Sequence, residues 1–409
     1  MEFDAGALDR GSIMTRLMLF IALALILAGT SLGATWTVAK DGSGDFTVIQ
    51  DAVNAAADGD VIEIGPGRYE EYHVYANDDF GTCVRVWNKS LSFIGSGPTE
   101  TIIGVEDATG HPYIIGIRPW NSQSIHVENL GFYAQWGRGI HLHIPEIEVE
   151  NCEFLGDHPQ QYTEGILAAD IEKGYIRNCR FYNLREDVSL FRVRGLVIED
   201  CEFSGFRYGI SAGYANTHFI VRNSTFDGKW ELNAVAVWIW DGARIDMSGC
   251  TITCCPYGAS FDRNGPSVVR DCVLEYVDGP EGIRNGAVYL RTRHQVLFEN
   301  NIITSDFVCF AIIGNGLPGA SAFHNNHILV LGDGLYLKGE DPSGYMYPGE
   351  ILNMENNYWG TTDEEEIAAR IIDGNDNPDI EFTVDFLPLA DGPVPTERIA
   401  LDGVKALYR

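Results

Sequence analysis

Val149-Glu150-Asn151-Cys152-Glu153-Phe154, then Ile176-Arg177-Asn178-Cys179-Arg180-Phe181, then Ile198-Glu199-Asp200-Cys201-Glu202-Phe203 decide the fold. Each sextet sets an apolar residue, a turn former, a cysteine and a phenylalanine in the same order. The pattern extends outward to Val127-Glu128-Asn129, Val221-Arg222-Asn223-Ser224-Thr225-Phe226, Met247-Ser248-Gly249-Cys250 and Val269-Arg270-Asp271-Cys272. It continues in Phe298-Glu299-Asn300-Asn301, His324-Asn325-Asn326 and Met354-Glu355-Asn356-Asn357. The turn residues at 129, 151, 178, 200, 223, 249, 271, 300, 325 and 356 are separated by 22, 27, 22, 23, 26, 22, 29, 25 and 31 residues. A floor of 22 with variable insertions means one supersecondary unit stacked many times.

Residues 151–178 show how one lap is built. Asn151 turns the chain and Phe154 follows, facing inward. A polar loop from Leu155 to Glu164 leads to Gly165-Ile166-Leu167-Ala168-Ala169, which alternates in and out. A brief turn at Ile171–Gly174 leads to Tyr175-Ile176-Arg177 and the next turn. Three short strands of period two per lap, laid parallel on the previous lap, give an all-β solenoid. Asparagines at the turn can hydrogen-bond up and down their column.

Hydrophobic content of 45% suffices for one continuous core in a chain of 409 residues. Charge is lopsided, with 28 Lys+Arg against 58 Asp+Glu and a net of −30. Such a surface repels nucleic acid and anionic membranes. The solenoid is expected to act as a monomer. Thr15-Arg16, the apolar run Leu17 to Gly29 and the small residues Thr30-Ser31-Leu32-Gly33-Ala34 have the layout of an export signal. Met14 then reads as the start, residues 1–34 as extension plus signal peptide, and the protein as secreted or displayed on the cell surface without an integral membrane segment. Of nine cysteines, Cys152, Cys179, Cys201, Cys250 and Cys272 follow the turn residue directly, with Ser224 in the same slot. They are expected to stack as buried thiols, because parallel neighbours about 4.8 Å apart are set slightly too wide for a relaxed disulfide.

The repeat Gly-Ile-x-Val … Val-x-Val-x-Asn-x-x-Phe resembles the right-handed parallel β-helix of the pectate-lyase-like superfamily. Thr37 to Val53, with Gly42-Ser43-Gly44-Asp45-Phe46-Thr47, and Gly67-Arg68-Tyr69-Glu70-Glu71 resemble the opening of pectin methylesterases. Asn357-Tyr358-Trp359-Gly360 resembles the end of many secreted β-helix repeat proteins. The resemblance implies a β-helix over 35–360, a C-terminal cap over 361–390 and a tail over 391–409. The esterase Q-D-T-L and L-G-R-P-W elements and the polygalacturonase N-T-D, G-H-G and R-I-K elements are absent, so no pectin-active catalytic residue carries over. Solenoid ends need caps. Val48–Ala57 has the pattern of a short plug helix, and Thr362 that of an N-cap for a helix over Asp363–Ile372.

With a packed interior, function falls to an outward strip. Alternate residues of the strands after the long loop give one column through Arg85, His141, Ser189, Ser211, Ala236, Ser260, Tyr289 and Tyr336. A second runs through Trp87, Arg118, His143, Phe191, Trp238, Asp262, Arg291 and Lys338. Loops such as Asp157–Glu164, Asp227–Asn233 and Glu275–Asn285 are placed to wall it. Aromatic faces suit sugar rings, and guanidiniums suit carboxylates. This makes Arg85, Trp87, Arg118, Tyr214, Trp238, Trp240, Tyr289 and Arg291 the candidate substrate-binding residues. His141, His143, Asp170 and Asp262 are the candidate acid–base residues, since histidine works near neutral pH and a carboxylate can orient it. Asp262 with Arg291 also fits a plain cross-strand salt bridge. Two histidines at alternate positions point the same way, but a third ligand is not evident and no metal site is assigned. Calcium is the one cofactor left open, because a net charge of −30 needs a cation to accept a polyanion. The expected function is recognition or processing of a polysaccharide or glycan in a lateral groove, by lyase, hydrolase or epimerase chemistry if catalytic. A non-catalytic extracellular adhesion or structural solenoid, its strip merely a ladder, is the alternative.

Overall fold

The computed structural model describes residues 33–393, except 77–78, 106–112, 135, 160–161, 230, 232, 277–285, 293, 314–320, 341–349 and 381. The export-signal reading of residues 1–32 and the tail from 394 onward lie outside the described residues, as does most of the loop Glu275–Asn285.

Every expected turn residue sits in the left-handed region, from Asn129 (φ 57°) through Asn178 (φ 52°) and Gly249 (φ 62°) to Asn356 (φ 60°). Asparagine, aspartate and glycine tolerate that conformation best. The turn breaks each lap between a first-sheet strand and a second-sheet strand, as between Lys173–Arg177 and Arg180–Tyr182. A longer connection leads to the third sheet, here Glu186–Phe191. Among the described residues the strands form sheets of 14, 11 and 13 members. The pairing is parallel throughout, save where His73–Val74 meets Phe80–Trp87. The first sheet runs on to Phe382–Asp385, which pairs with Glu350–Asn353.

The interior is a set of columns. Phe132, Phe154, Phe181, Phe203 and Phe226 stack face to face, with centroids 4.5–4.9 Å apart. The thiol column is in register, and all nine cysteines are free. Past Ser224 and Cys272 the same column becomes amide. Cys272 N donates to Asn301 Oδ1, Asn301 N to Asn326 Oδ1 and Asn326 N to Asn357 Oδ1, at 3.0, 3.0 and 2.7 Å. Buried amides are therefore paired lap to lap. The turn asparagines also pair, Asn151 Nδ2 donating to Asn129 Oδ1.

The plug helix is Ile49–Ala55, with Ile49, Gln50, Ala52 and Val53 buried. Its Gln50 closes the open strand edge, accepting from Arg85 N at 2.7 Å and donating to Arg85 O at 3.1 Å. The second helix is shorter than expected, Glu364–Ala368, and Asp363 rather than Thr362 caps it by accepting from Glu365 N and Glu366 N. Ile371–Ile372 leaves the helix to pair with the third sheet, because an apolar pair gains more on that edge than on an exposed final turn. No helix among the described residues is long and apolar enough to cross a membrane.

Candidate functional site

The third sheet presents its outer face to solvent, and pairing register sets its columns. One runs through Arg85, Arg118, His141, Leu167, Ser189, Ser211, Trp238, Ser260, Tyr289, Ala311 and Lys338. The next runs through Trp87, Trp120, His143, Ala169, Phe191, Gly213, Trp240, Asp262 and Arg291. This corrects the sequence reading at several points. Arg118 and Trp238 share the Arg85 column, Lys338 stands beside Ala311, and Trp120 takes the place given to Arg118. Ala236 and Tyr336 are buried and not on the strip.

The physical reason is a local irregularity at the start of each strand. Glu164 pairs with Glu186 and Ile166 with Val188, skipping a residue between them. At the skipped position stand Gly116, Gly139, Gly165 and Gly209, against the stacked phenylalanines. A Cβ on Gly139 would come within 2.6 Å of the Phe154 ring, and one on Gly165 within 2.8 Å of Phe181. The extra residue shifts parity, so simple alternation loses the column.

At the near end Trp87 and Trp120 stack with planes 5° apart and centroids 6.4 Å apart, and they are 47% and 41% exposed. Arg85 lies over Trp87 at 4.8 Å and Arg118 over Trp120 at 5.0 Å. Further along, Trp238 stacks on Tyr208 at 5.0 Å. Trp240 donates to Ser211 Oγ at 3.4 Å and packs against Phe191 and Tyr214. Tyr214 is 48% exposed and, like Arg192 and Arg263, holds a positive φ at the turn that ends its strand. Side chains other than Gly, Asn or Asp seldom occupy that region, and such outliers concentrate at binding sites. On the opposite edge Trp136 and Tyr162 meet edge to face at 6.0 Å, with Arg185 over Tyr162.

Between these aromatic groups lies a chain of polar contacts. Arg138 grips Glu164 through two bonds of 2.5 and 3.1 Å. Its Nη1, which can only donate, faces His141 Nδ1 at 3.2 Å. The neutral His141 proton therefore belongs on Nε2, which reaches His143 Nε2 at 3.3 Å. That leaves the His143 proton on Nδ1, toward Asp170 Oδ2 at 3.5 Å. Burial, with help from Arg138, His143 and Arg118, pushes His141 down to about 3, so it stays neutral. Two bonds from Arg192, at 2.6 and 2.9 Å, hold the Asp170 carboxyl below its ordinary range. The paired Nε2 atoms are thus a hydrogen bond in a fixed relay. Among the described residues no group of three His, Cys, Asp or Glu is arranged to hold a metal ion.

Asp262 stands in register between Trp240 and Arg291. Its ion pair is with Arg263, at 3.5 Å, not the anticipated Arg291. Tyr289 packs on Tyr257 at 5.7 Å. The structure thus joins His141, His143 and Asp170, and separately Trp238, Trp240 and Tyr214. Sequence reasoning missed Arg138, Trp120, Tyr208 and above all Glu186. Glu186 accepts from Ser189 Oγ at 2.7 Å. Burial and the neighbouring Glu164 raise its carboxyl against that bond. A hollow of about 210 Å³ lies elsewhere, on the outer face of the first sheet beside Ser92, Ser124, His126 and Glu148.

The family described as "Right handed beta helix region" matches residues 115–229 and 195–339, more than half of the chain. The chain belongs to the right-handed β-helix family. Among solved structures, this β-helix is similar to the A-module of a mannuronan C-5 epimerase from Azotobacter vinelandii at 13% identity, covering 84% of this chain and 93% of that one with a TM-score of 0.42. It is also similar to the Agl-KA catalytic domain, at 14% identity over 86% and 66% with a TM-score of 0.42. A third is a pectin methylesterase from carrot, at 14% over 87% and 90% with a TM-score of 0.30. No curated protein matches.

Proposed function

We propose that this β-helix is an exported protein that binds a polysaccharide along the outer face of its third sheet and processes it there. One observation carries the reading. Exposed Trp87 and Trp120 on one side and half-buried Tyr208 and Trp238 on the other flank the Arg138–Glu164–His141–His143–Asp170 relay on a single face of an otherwise strongly acidic protein. Pyranose rings bind through their C–H faces on such aromatics and through their hydroxyls on such polar groups. Successive strands are about 4.8 Å apart, so a linear glycan laid along the solenoid axis meets a new lap at nearly every sugar. Trp87, Trp120, Tyr214, Trp238 and Trp240 would carry the rings. Arg85, Arg118 and Arg291 would meet hydroxyl or acidic substituents, with Tyr289 and Asp262 at the far end. His143, oriented by Asp170, would exchange a proton once a sugar hydroxyl displaces His141 from its Nε2.

A glycan array read beside reducing-end and unsaturated-uronide assays on the full chain tests this. Trp238→Ala and Trp120→Ala should each weaken binding about 10-fold or more, the loss of one stacking contact, without lowering Tm. Absence of both binding and turnover across the array would leave the adhesion or structural solenoid as the better reading. A binding requirement for calcium, removed by chelator, would point to an anionic glycan.

A further inference from the structure

We propose that Glu186 is the proton donor of a glycoside hydrolysis on this face, with its register neighbour Glu164 as the nucleophilic carboxylate. This rests on the glycan reading above and narrows it to one reaction class.

Carboxylates on the outside of this solenoid are ordinarily rungs of ion-pair ladders, as Glu150 with Arg177 at 2.6 Å and Glu199 with Arg222 at 2.7 Å. Glu186 departs from that rule. Arg138 spends its fork on Glu164, and among the described residues no Lys or Arg pairs with Glu186, whose hydrogen bond comes from Ser189. It is partly exposed on the strip, one lap from Glu164. Tyr208 follows it in register, and Tyr208 is the base on which Trp238 stacks. The groups facing it are Glu164 and Arg138 from the preceding laps, Arg185 just before its strand and Tyr208 from the next lap. Burial and Glu164 push the Glu186 carboxyl up, whereas Arg138 holds Glu164 in a two-bond ion pair. A carboxyl that no cation pairs beside one held in an ion pair places two carboxyls in unlike environments on one face, the arrangement that separates proton donor from nucleophile in glycoside cleavage.

The step balances without a further reagent. A Glu164 oxygen bonds the anomeric carbon as the glycosidic C–O bond breaks, and the electron pair leaves on the oxygen that takes the Glu186 proton. Water then attacks the same carbon, gives its proton to the Glu186 carboxylate and releases Glu164. The net change is one glycoside and one water converted to two hydroxyl-bearing ends. A covalent step on Glu164 followed by water on the same carbon retains the anomeric configuration.

The test uses the full chain and a panel of β-glucan, α-glucan, xylan, mannan, alginate and polygalacturonate, with binding, reducing-end release and anomeric NMR read separately. Glu186→Gln should keep its dissociation constant and Tm, lose about 10²–10⁴-fold in kcat and lose the alkaline limb of the pH–rate profile. Ser189→Ala removes the bond that favours the charged form, so that limb should move to higher pH. The product should first appear with the anomeric configuration of its substrate. Binding by the wild type with no reducing ends released from any glycan, full activity of Glu186→Gln, or inversion would each overturn this assignment and leave the glycan reading standing. Failure to bind any member would overturn both.

Discussion

Asp187 offers the sharpest test of how the interior is built. It stands at the skipped position, where neighbouring laps have Gly165 and Gly209, and it is fully buried. Neither carboxyl oxygen has a hydrogen-bond partner, and burial raises its pKa well above 3.8. Replacement by alanine removes a buried unsatisfied group, worth about 1–3 kcal/mol. It also removes a proton-linkage cost of about 1.4 kcal/mol for each pH unit over which the carboxyl stays protonated only in the fold. Against this, the three-atom void left behind costs about 1 kcal/mol. The expected net is a gain for Asp187→Ala at pH 7, about 0–2 kcal/mol from the unsatisfied group less the void, increased by the linkage cost. The sign follows from the raised folded pKa. The wild type is least penalised below the unfolded value and loses stability as pH rises from there, so the advantage of the variant should shrink toward pH 4. Urea unfolding of both proteins at pH 4.5 and pH 7 measures it. Destabilisation at pH 7, or a gain that does not depend on pH, would show that the carboxyl is paired and refute the argument.

Other expectations follow from the same columns. Asn326→Ala breaks four buried bonds, to Asn301, Phe298 and Asn357, and should cost about 3–4 kcal/mol by urea unfolding. Gly165→Ala drives a Cβ to 2.5 Å from the Asp187 carbonyl oxygen and should lower stability by about 1–3 kcal/mol, read as a fall in Tm. His141 should show no imidazole titration by NMR between pH 5 and 8. Because its folded pKa is depressed below 6.5, its contribution to stability is intact above that value and is lost as pH falls toward 3.

The turns were legible because Asn, Asp and Gly take the left-handed conformation at little cost, and the ten such positions needed only to be counted. The thiol stack was legible because position in the lap implies position in space, and the plug helix because its apolar residues recur at helical spacing. The strip was legible only in outline. Asp187 and Val188 both face inward, which two-residue alternation cannot represent, and the frame slips from there. Glu186 carries no pattern in Glu186-Asp187-Val188-Ser189 that separates it from any ladder carboxylate. That Arg138 bonds Glu164 and leaves Glu186 without a paired cation among the described residues is visible only when laps are stacked. A bulky aromatic three residues past each turn, followed by a glycine near the next strand, is the signal that could have revealed the slip.

The unpaired thiols turn the molecule into its own unfolding recorder. Cys152, Cys179, Cys201, Cys250, Cys272 and Cys309 are buried in successive parts of the stack, and burial pushes several of them, such as Cys179 and Cys272, well above the usual thiol range. An alkylating probe finds such sulfurs only when their own winding opens. The order in which peptides from a denaturant series acquire the label would therefore chart, winding by winding, where this protein begins to come apart.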